Sequence, residues 1–92
     1  MPLDQLVGWV PTPVPGLRFL EVEDGALILD PATKRLHSLN GWATVVWLLC
    51  DGKRSADRII ELAGEGDERR RRSVSDALDT LKGEGLVVPA PP

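Results

Sequence analysis

Glu23-Asp24-Gly25-Ala26-Leu27-Ile28-Leu29-Asp30-Pro31-Ala32-Thr33-Lys34-Arg35-Leu36-His37-Ser38-Leu39-Asn40 is the stretch whose reading decides the fold. Glu23-Asp24-Gly25 is a turn signal of the Asp-Gly kind. Residues 26–29 form a short apolar strand. Asp30-Pro31-Ala32-Thr33 is a second turn, with proline at a favoured early position. Residues 34–39 then alternate, with Lys34, Leu36 and Ser38 toward one face and Arg35, His37 and Leu39 toward the other. Upstream, Leu17, Phe19 and Glu21 share one face of a further strand, and Arg18, Leu20 and Val22 the other. Three short strands joined by tight turns make an antiparallel meander. Its third strand has a free edge unless another element covers it.

Downstream of the meander the periodicity changes to helical. Asn40 is placed to cap a helix over residues 41–50, which Asp51-Gly52 ends. Trp42, Ala43, Val45, Val46, Trp47, Leu48 and Leu49 make that helix apolar almost all round, so it is expected at the centre of the core. Ser55 caps a second helix over residues 56–63. Ile59, Ile60 and Leu62 are expected to face inward from it, and Arg58 and Glu61 outward. Gly64-Glu65-Gly66 breaks it. Asp67 caps a third helix reaching Lys82, with Val74, Ala77, Leu78 and Leu81 at helical spacing. Gly83 and Gly85 stop it, and Leu86-Val87-Val88 is a last extended segment. The fold class expected is α+β, a three-stranded antiparallel sheet followed by three helices in a winged helix-turn-helix-like arrangement. Residues 1–16, with Pro2, Pro11, Pro13 and Pro15, read as an extended arm that Leu3, Leu6, Val7 and Trp9 could pin to a surface. Residues 17–88 are the domain, and residues 89–92 a tail.

Ninety-two residues make one domain, with room for one modest core and little for a deep catalytic cleft. The chain has one cysteine, Cys50, and one histidine, His37. No intramolecular disulfide is possible, and no zinc site of the usual ligand count can be assembled. Cys50 ends an apolar run, where a buried inert thiol is expected. His37 and Ser38 are strand neighbours that point to opposite faces, so they do not start a catalytic triad. No glycine-rich phosphate loop is present. Nothing in the pattern calls for a cofactor or a metal, and the chain reads as a binding protein, not an enzyme. The N-terminus lacks the basic start of a signal peptide, and the longest apolar run is too short to span a bilayer. A cytoplasmic location is the expectation.

Charge is uneven. The net charge is −3, and residues 1–33 hold one arginine against five acids. Lys34, Arg35 and His37 are locally basic, and Arg69, Arg70, Arg71 and Arg72 open the third helix. If the third strand lies beside the third helix, the two basic elements meet in one groove that would attract an acidic partner. Duplex DNA is one such partner, which gives a winged-helix DNA-binding regulator as the alternative reading. Asp76 and Asp79 on the same helix would face phosphates poorly, which disfavours nucleic acid. A peptide added as a strand to the free edge is the preferred reading.

Residues 39–52 carry a family resemblance. Leu39-Asn40 enters the first helix, followed by Ala43, the pair Val46-Trp47, Leu49, and the closing Asp51-Gly52. Ser55-Ala56-Asp57-Arg58-Ile59-Ile60-Glu61-Leu62 is similar to the second helix of that family, and Leu78, Leu81, Gly85 and Leu86 to its third helix and closing Gly-Leu. Together these resemble the PqqD-like family, also called RiPP recognition elements, from about residue 15 to residue 88. The sequence departs from the pattern at Trp42, usually small or polar, and at Leu48, usually polar. An exposed Trp42 would suggest a second contact surface.

The resemblance implies that the leader of a ribosomally made precursor peptide adds as a strand to the third strand, within a groove against the third helix. Carried over by position, the peptide-binding residues are Lys34, Arg35, Leu36, His37 and Ser38 on the strand and Arg70, Arg71, Val74, Ala77 and Leu78 on the helix. Val74 and Leu78 fit a core role equally well. The implied partner is a modifying enzyme, either a leader peptidase and cyclase of a lasso-peptide system or a radical SAM enzyme. The first is preferred on the compact Asp-Gly hairpin and the position of Trp47. A monomer or a homodimer, with no membrane partner, completes the expectation.

Overall fold

In the computed structural model, which describes residues 9–90, the elements run β1 (Pro11–Pro13), β2 (Arg18–Val22), β3 (Gly25–Asp30), β4 (Arg35–Asn40), α1 (Gly41–Leu49), α2 (Ala56–Gly64), α3 (Glu68–Gly83) and β5 (Val87–Pro89). The meander is β2-β3-β4, antiparallel throughout, so the strand numbered third from sequence is β4. Register sets Arg18, Leu29 and Leu36 in one row and Phe19, Ile28 and His37 in the next. Side chains alternate across a pleated strand, which puts Ala26, Ile28, His37 and Leu39 on the inner face, and all four are buried.

Both turns form where the sequence places them, with shifted boundaries: Gly25 and Asp30 belong to β3, and Lys34 to the second turn. The Asp30 carboxylate accepts from the backbone N–H of Ala32 at 3.0 Å, and the Asp30 carbonyl accepts from Lys34 N–H at 2.7 Å. Lys34 sits at φ 60, in the left-handed region, so it belongs to the turn and β4 starts at Arg35. At the other hairpin a Cβ on Gly25 would lie 1.9 Å from the Leu39 carbonyl oxygen. Only glycine allows β3 and β4 to approach so closely there.

The three helix starts follow from their caps. Asn40 Oδ1 accepts from Ala43 N–H at 2.7 Å, Ser55 Oγ from Arg58 N–H at 3.1 Å, and Asp67 Oδ1 from Arg69 and Arg70 N–H. The inner sheet face packs on Val46, Trp47 and Cys50 at α1, Ile59 and Ala63 of α2, and Val74, Leu78 and Leu81 of α3. Two expectations of burial fail. Helix α1 is not covered all round, since Val45 is 46% and Leu48 59% exposed, and Leu62 of α2 faces solvent instead of the core. Helix α1 lies against β3 and β4, while α2 and α3 pack chiefly on each other and on α1, an arrangement that leaves Val45, Leu48 and Leu62 on open sides.

The expected extended arm and tail meet. Pro11, Thr12 and Pro13 of β1 pair antiparallel with Pro89, Val88 and Val87 of β5. Pro11 and Pro13 have no N–H to give, so the ribbon is fixed by donors at its ends: Val14 N–H to Leu86 O at 3.0 Å and Ala90 N–H to Val10 O at 2.9 Å. Trp9 lies under Lys82, whose Nζ is 5.1 Å from the ring centroid, and its carbonyl accepts from Ala56 N–H. The suggested anchors Leu3, Leu6 and Val7 lie outside the described residues.

Candidate functional site

Strand β4 is paired with β3 on one side, and among the described residues no strand pairs with its other side. In an antiparallel pair alternate backbone groups point outward, so the open side of β4 carries unpaired N–H and C=O groups. Two contacts fix what lies across from that edge. His37 Nδ1–H donates to Glu84 Oε1 at 3.0 Å, at the C-terminal end of α3. Trp42, two residues past β4, shares a hollow with Arg69, Arg70 and Ser73 in the first half of α3. From Ser73 to Glu84 a helix rises about 16 Å. From His37 to Asn40 the strand covers about 10 Å, and Gly41 and Trp42 already belong to α1. The two contacts place the C-terminal end of α3 at His37 and its N-terminal half near the start of α1, so the helix runs opposite in sense to β4 across a gap, with Leu39 buried and Ala77 half-buried.

The residues named from sequence fall into distinct places. Lys34 is an exposed turn residue. Leu36 and Ser38 are exposed on the outer sheet face, where Leu36 (63% exposed) extends an apolar patch with Leu20, Leu27 and Leu29. Arg35 is exposed at the start of the edge. His37 is buried, and its contact to Glu84 ties β4 to α3. On α3, Val74 and Leu78 are core residues with no surface to offer, and Ala77 alone of the named apolar trio is partly exposed. Arg71 packs across Gly64, where a Cβ would strike its Cγ, and Arg70 is paired with Glu65. Both arginines are thus engaged with the α2–α3 connection.

The expected meeting of two basic elements in one place is corrected by this geometry. Arg35 and His37 lie toward the C-terminal end of α3, and the arginine run opens its N-terminal end, so the two basic groups flank the gap at opposite ends. Sequence reading set Arg69 in the groove only as part of the arginine run, and it missed Ser73 and Glu84 as groove residues. The i, i+4 spacing of Ser73 and Ala77 was the available signal for the first half of the helix face.

Ser38 and His37 stand on opposite faces of the sheet, so these two do not form a catalytic pair. The Cys50 thiol is pushed up to about 12, chiefly by burial and then by the Asp51 charge. Its Sγ–H donates to Val46 O at 3.2 Å. Nothing in the geometry favours nucleic acid, since Asp76 and Asp79 stand exposed on α3 beside its arginines. Among the described residues no helix is long and apolar enough to cross a membrane.

Residues 25–87 match the profile of the family described as coenzyme PQQ synthesis protein D (PqqD). Among solved structures, the chain superposes on one described as TbiB1 in complex with the TbiA(beta) leader peptide. The TM-score is 0.67 at 16% identity, over 83% of this chain and 93% of that chain. At that identity the likeness is one of fold. No curated protein matches the chain.

Proposed function

This chain belongs to the PqqD family, and we propose that it is a non-catalytic carrier that captures the leader of a ribosomally made precursor peptide. The leader adds as a strand to the open edge of β4 and is presented to a modifying enzyme. The observation that carries this reading is the open β4 edge lying along α3, in a fold shared with a protein solved with a leader peptide bound. The binding unit is residues 17–88, braced by the β1–β5 ribbon. The partner enzyme belongs to a lasso-peptide or a radical SAM system, and the setting is the cytoplasm, where ribosomal peptides are made. Arg35, Leu36, His37 and Ser38 act through the backbone of the edge, Lys34 from the turn before it, and Ala77 supplies the floor.

Energetics support a groove over a bare edge. Ordering six residues of a disordered peptide costs about 6–12 kcal/mol in backbone entropy. Net hydrogen bonding returns only about 1 kcal/mol per ladder bond. The remainder has to come from side chains buried beside Leu39 and Ala77, at about 25 cal/mol per Å². Once bound, the peptide gains effective concentration near the enzyme, which needs no chemistry from the carrier.

The test is a displayed random library of 15-residue peptides selected on the full chain, followed by amide hydrogen exchange with an enriched peptide. Strand addition predicts at least tenfold slower exchange for the outward-pointing amides of β4. Protection confined to β2 or to the helices' outer sides would refute it.

A further inference from the structure

Two residues past the end of β4, Trp42 enters a cleft of about 480 Å³ whose walls include Val45, Leu49 and Leu62 as well, with Glu65 and Arg70 at its rim. The neighbouring hollow of about 310 Å³ shares Trp42 and Arg70 with it and adds Arg69 and Ser73. A continuous apolar trough with a cationic margin therefore extends the edge along the N-terminal half of α3. Val45 and Leu62 have no partner there and stay exposed.

The charges at this margin are not equivalent. Arg54 is paired with Asp51 and Arg70 with Glu65. Arg69 has no ion-pair partner among the described residues, although the chain as a whole is acidic. The trough thus offers apolar walls and one unneutralised guanidinium within a single neighbourhood.

We propose that this trough is a specificity subsite for the bound peptide, receiving an acidic side chain next to an apolar anchor just beyond the strand-paired segment. The anchor covers Val45, Leu49 and Leu62, and the carboxylate pairs with Arg69. A carboxylate suits this place because guanidinium takes it in a two-pronged, charge-assisted contact. This rests on the strand-addition reading above, since the trough is reached by a chain running off the Asn40 end of β4. It goes beyond that reading in naming the chemistry of the peptide.

Selection of the displayed 15-residue library on the full chain and on its Arg69→Glu and Arg69→Lys variants tests it. Arg69 is exposed, and glutamate in the first turn of a helix suits the dipole, so the reversed variant is expected to fold. The parent should enrich Asp or Glu at a fixed offset from an aliphatic or aromatic residue. Arg69→Lys should keep that preference, and Arg69→Glu should replace the acid by Lys or Arg at the same offset. A synthetic acidic peptide should bind Arg69→Glu about tenfold more weakly, and its Lys-substituted form should recover the loss. Enrichment without an acidic position, or the same consensus on Arg69→Glu, overturns the subsite while leaving strand addition intact. Enriched peptides that leave the β4 amides unprotected overturn both.

Discussion

Gly25→Ala adds one carbon at the tightest point of the sheet. That carbon would stand 1.9 Å from the Leu39 carbonyl oxygen and 3.1 Å from the Asn40 carbonyl carbon. Real contacts of this kind need roughly 3 Å or more, so β3 or β4 must shift by about an ångström. The obstacle is backbone, and no side-chain rotation relieves it. Forced overpacking costs about 1–3 kcal/mol. The shift also strains Asn40, which pairs with Gly25 and caps α1 through Ala43 N–H at 2.7 Å. Loss of such a cap adds about 1 kcal/mol. Restricting the unfolded chain returns about 0.4–1 kcal/mol. The net expectation is a loss of about 2–3 kcal/mol. Urea unfolding followed by tryptophan fluorescence reads it as a midpoint lowered by about 1–2 M, with m at the low end of the usual range for a chain of this size. Gly83→Ala is the internal control, because no atom lies within 4 Å of its Cβ and its helical backbone tolerates alanine. A Gly25→Ala midpoint equal to that of the parent would refute the claim that close approach of β3 to β4 fixes this residue.

Other outcomes follow from single contacts. Asn40→Ala removes the acceptor for Ala43 N–H and should cost about 1 kcal/mol, seen as a melting point lowered by about 4–8 °C. With its thiol pushed up to about 12, Cys50 should hold about one part in ten thousand as thiolate at pH 8, so a disulfide reagent should label it only as urea unfolds the chain. Asp51 accepts from the backbone N–H of Lys53 and Arg54, which holds its carboxyl below the usual carboxylate range. Its stabilisation is therefore present above about pH 4 and lost as pH falls through the lower folded value. Asp51→Ala should melt below the parent at pH 7, with the gap closing toward pH 2.

Local rules were legible in the sequence because their partners lie within a few residues. Asn40, Ser55 and Asp67 cap helices through bonds to residues three or fewer positions away, and Asp30 closes its own turn. Alternation along residues 34–39 gave the correct inner face, with His37 and Leu39 buried and Leu36 and Ser38 exposed. What failed depends on distant partners. Pairing of Pro11–Pro13 with Val87–Pro89 joins the two ends of the chain, and prolines carry no strand signal. Hydrophobicity alone cannot say that Val45, Leu48 and Leu62 lie on the open sides of their helices. The arginine run reads as one patch in sequence, yet Arg70 turns to Glu65, Arg71 to Gly64, and Arg69 toward Trp42.

A three-stranded sheet has two open edges, and backbone groups alone do not distinguish them. Strand β2 offers the same unpaired donors and acceptors as β4. The difference lies beneath. On β2 the inner-face residues Phe19 and Glu21 are exposed, so a strand added there would rest on nothing. On β4 the inner-face residues His37 and Leu39 are buried, and α3 stands across the edge, tied to it through Glu84. Only there can a peptide gain the apolar burial that offsets about 1–2 kcal/mol of backbone entropy per ordered residue. The position of α3 is in turn fixed at its far end, where Leu86 and Val87 enter the core and β5 pairs with β1. If the leader adds to β4, as proposed, it is the helix across from that edge that selects it over β2, and that helix is held in place by the ribbon between β1 and β5.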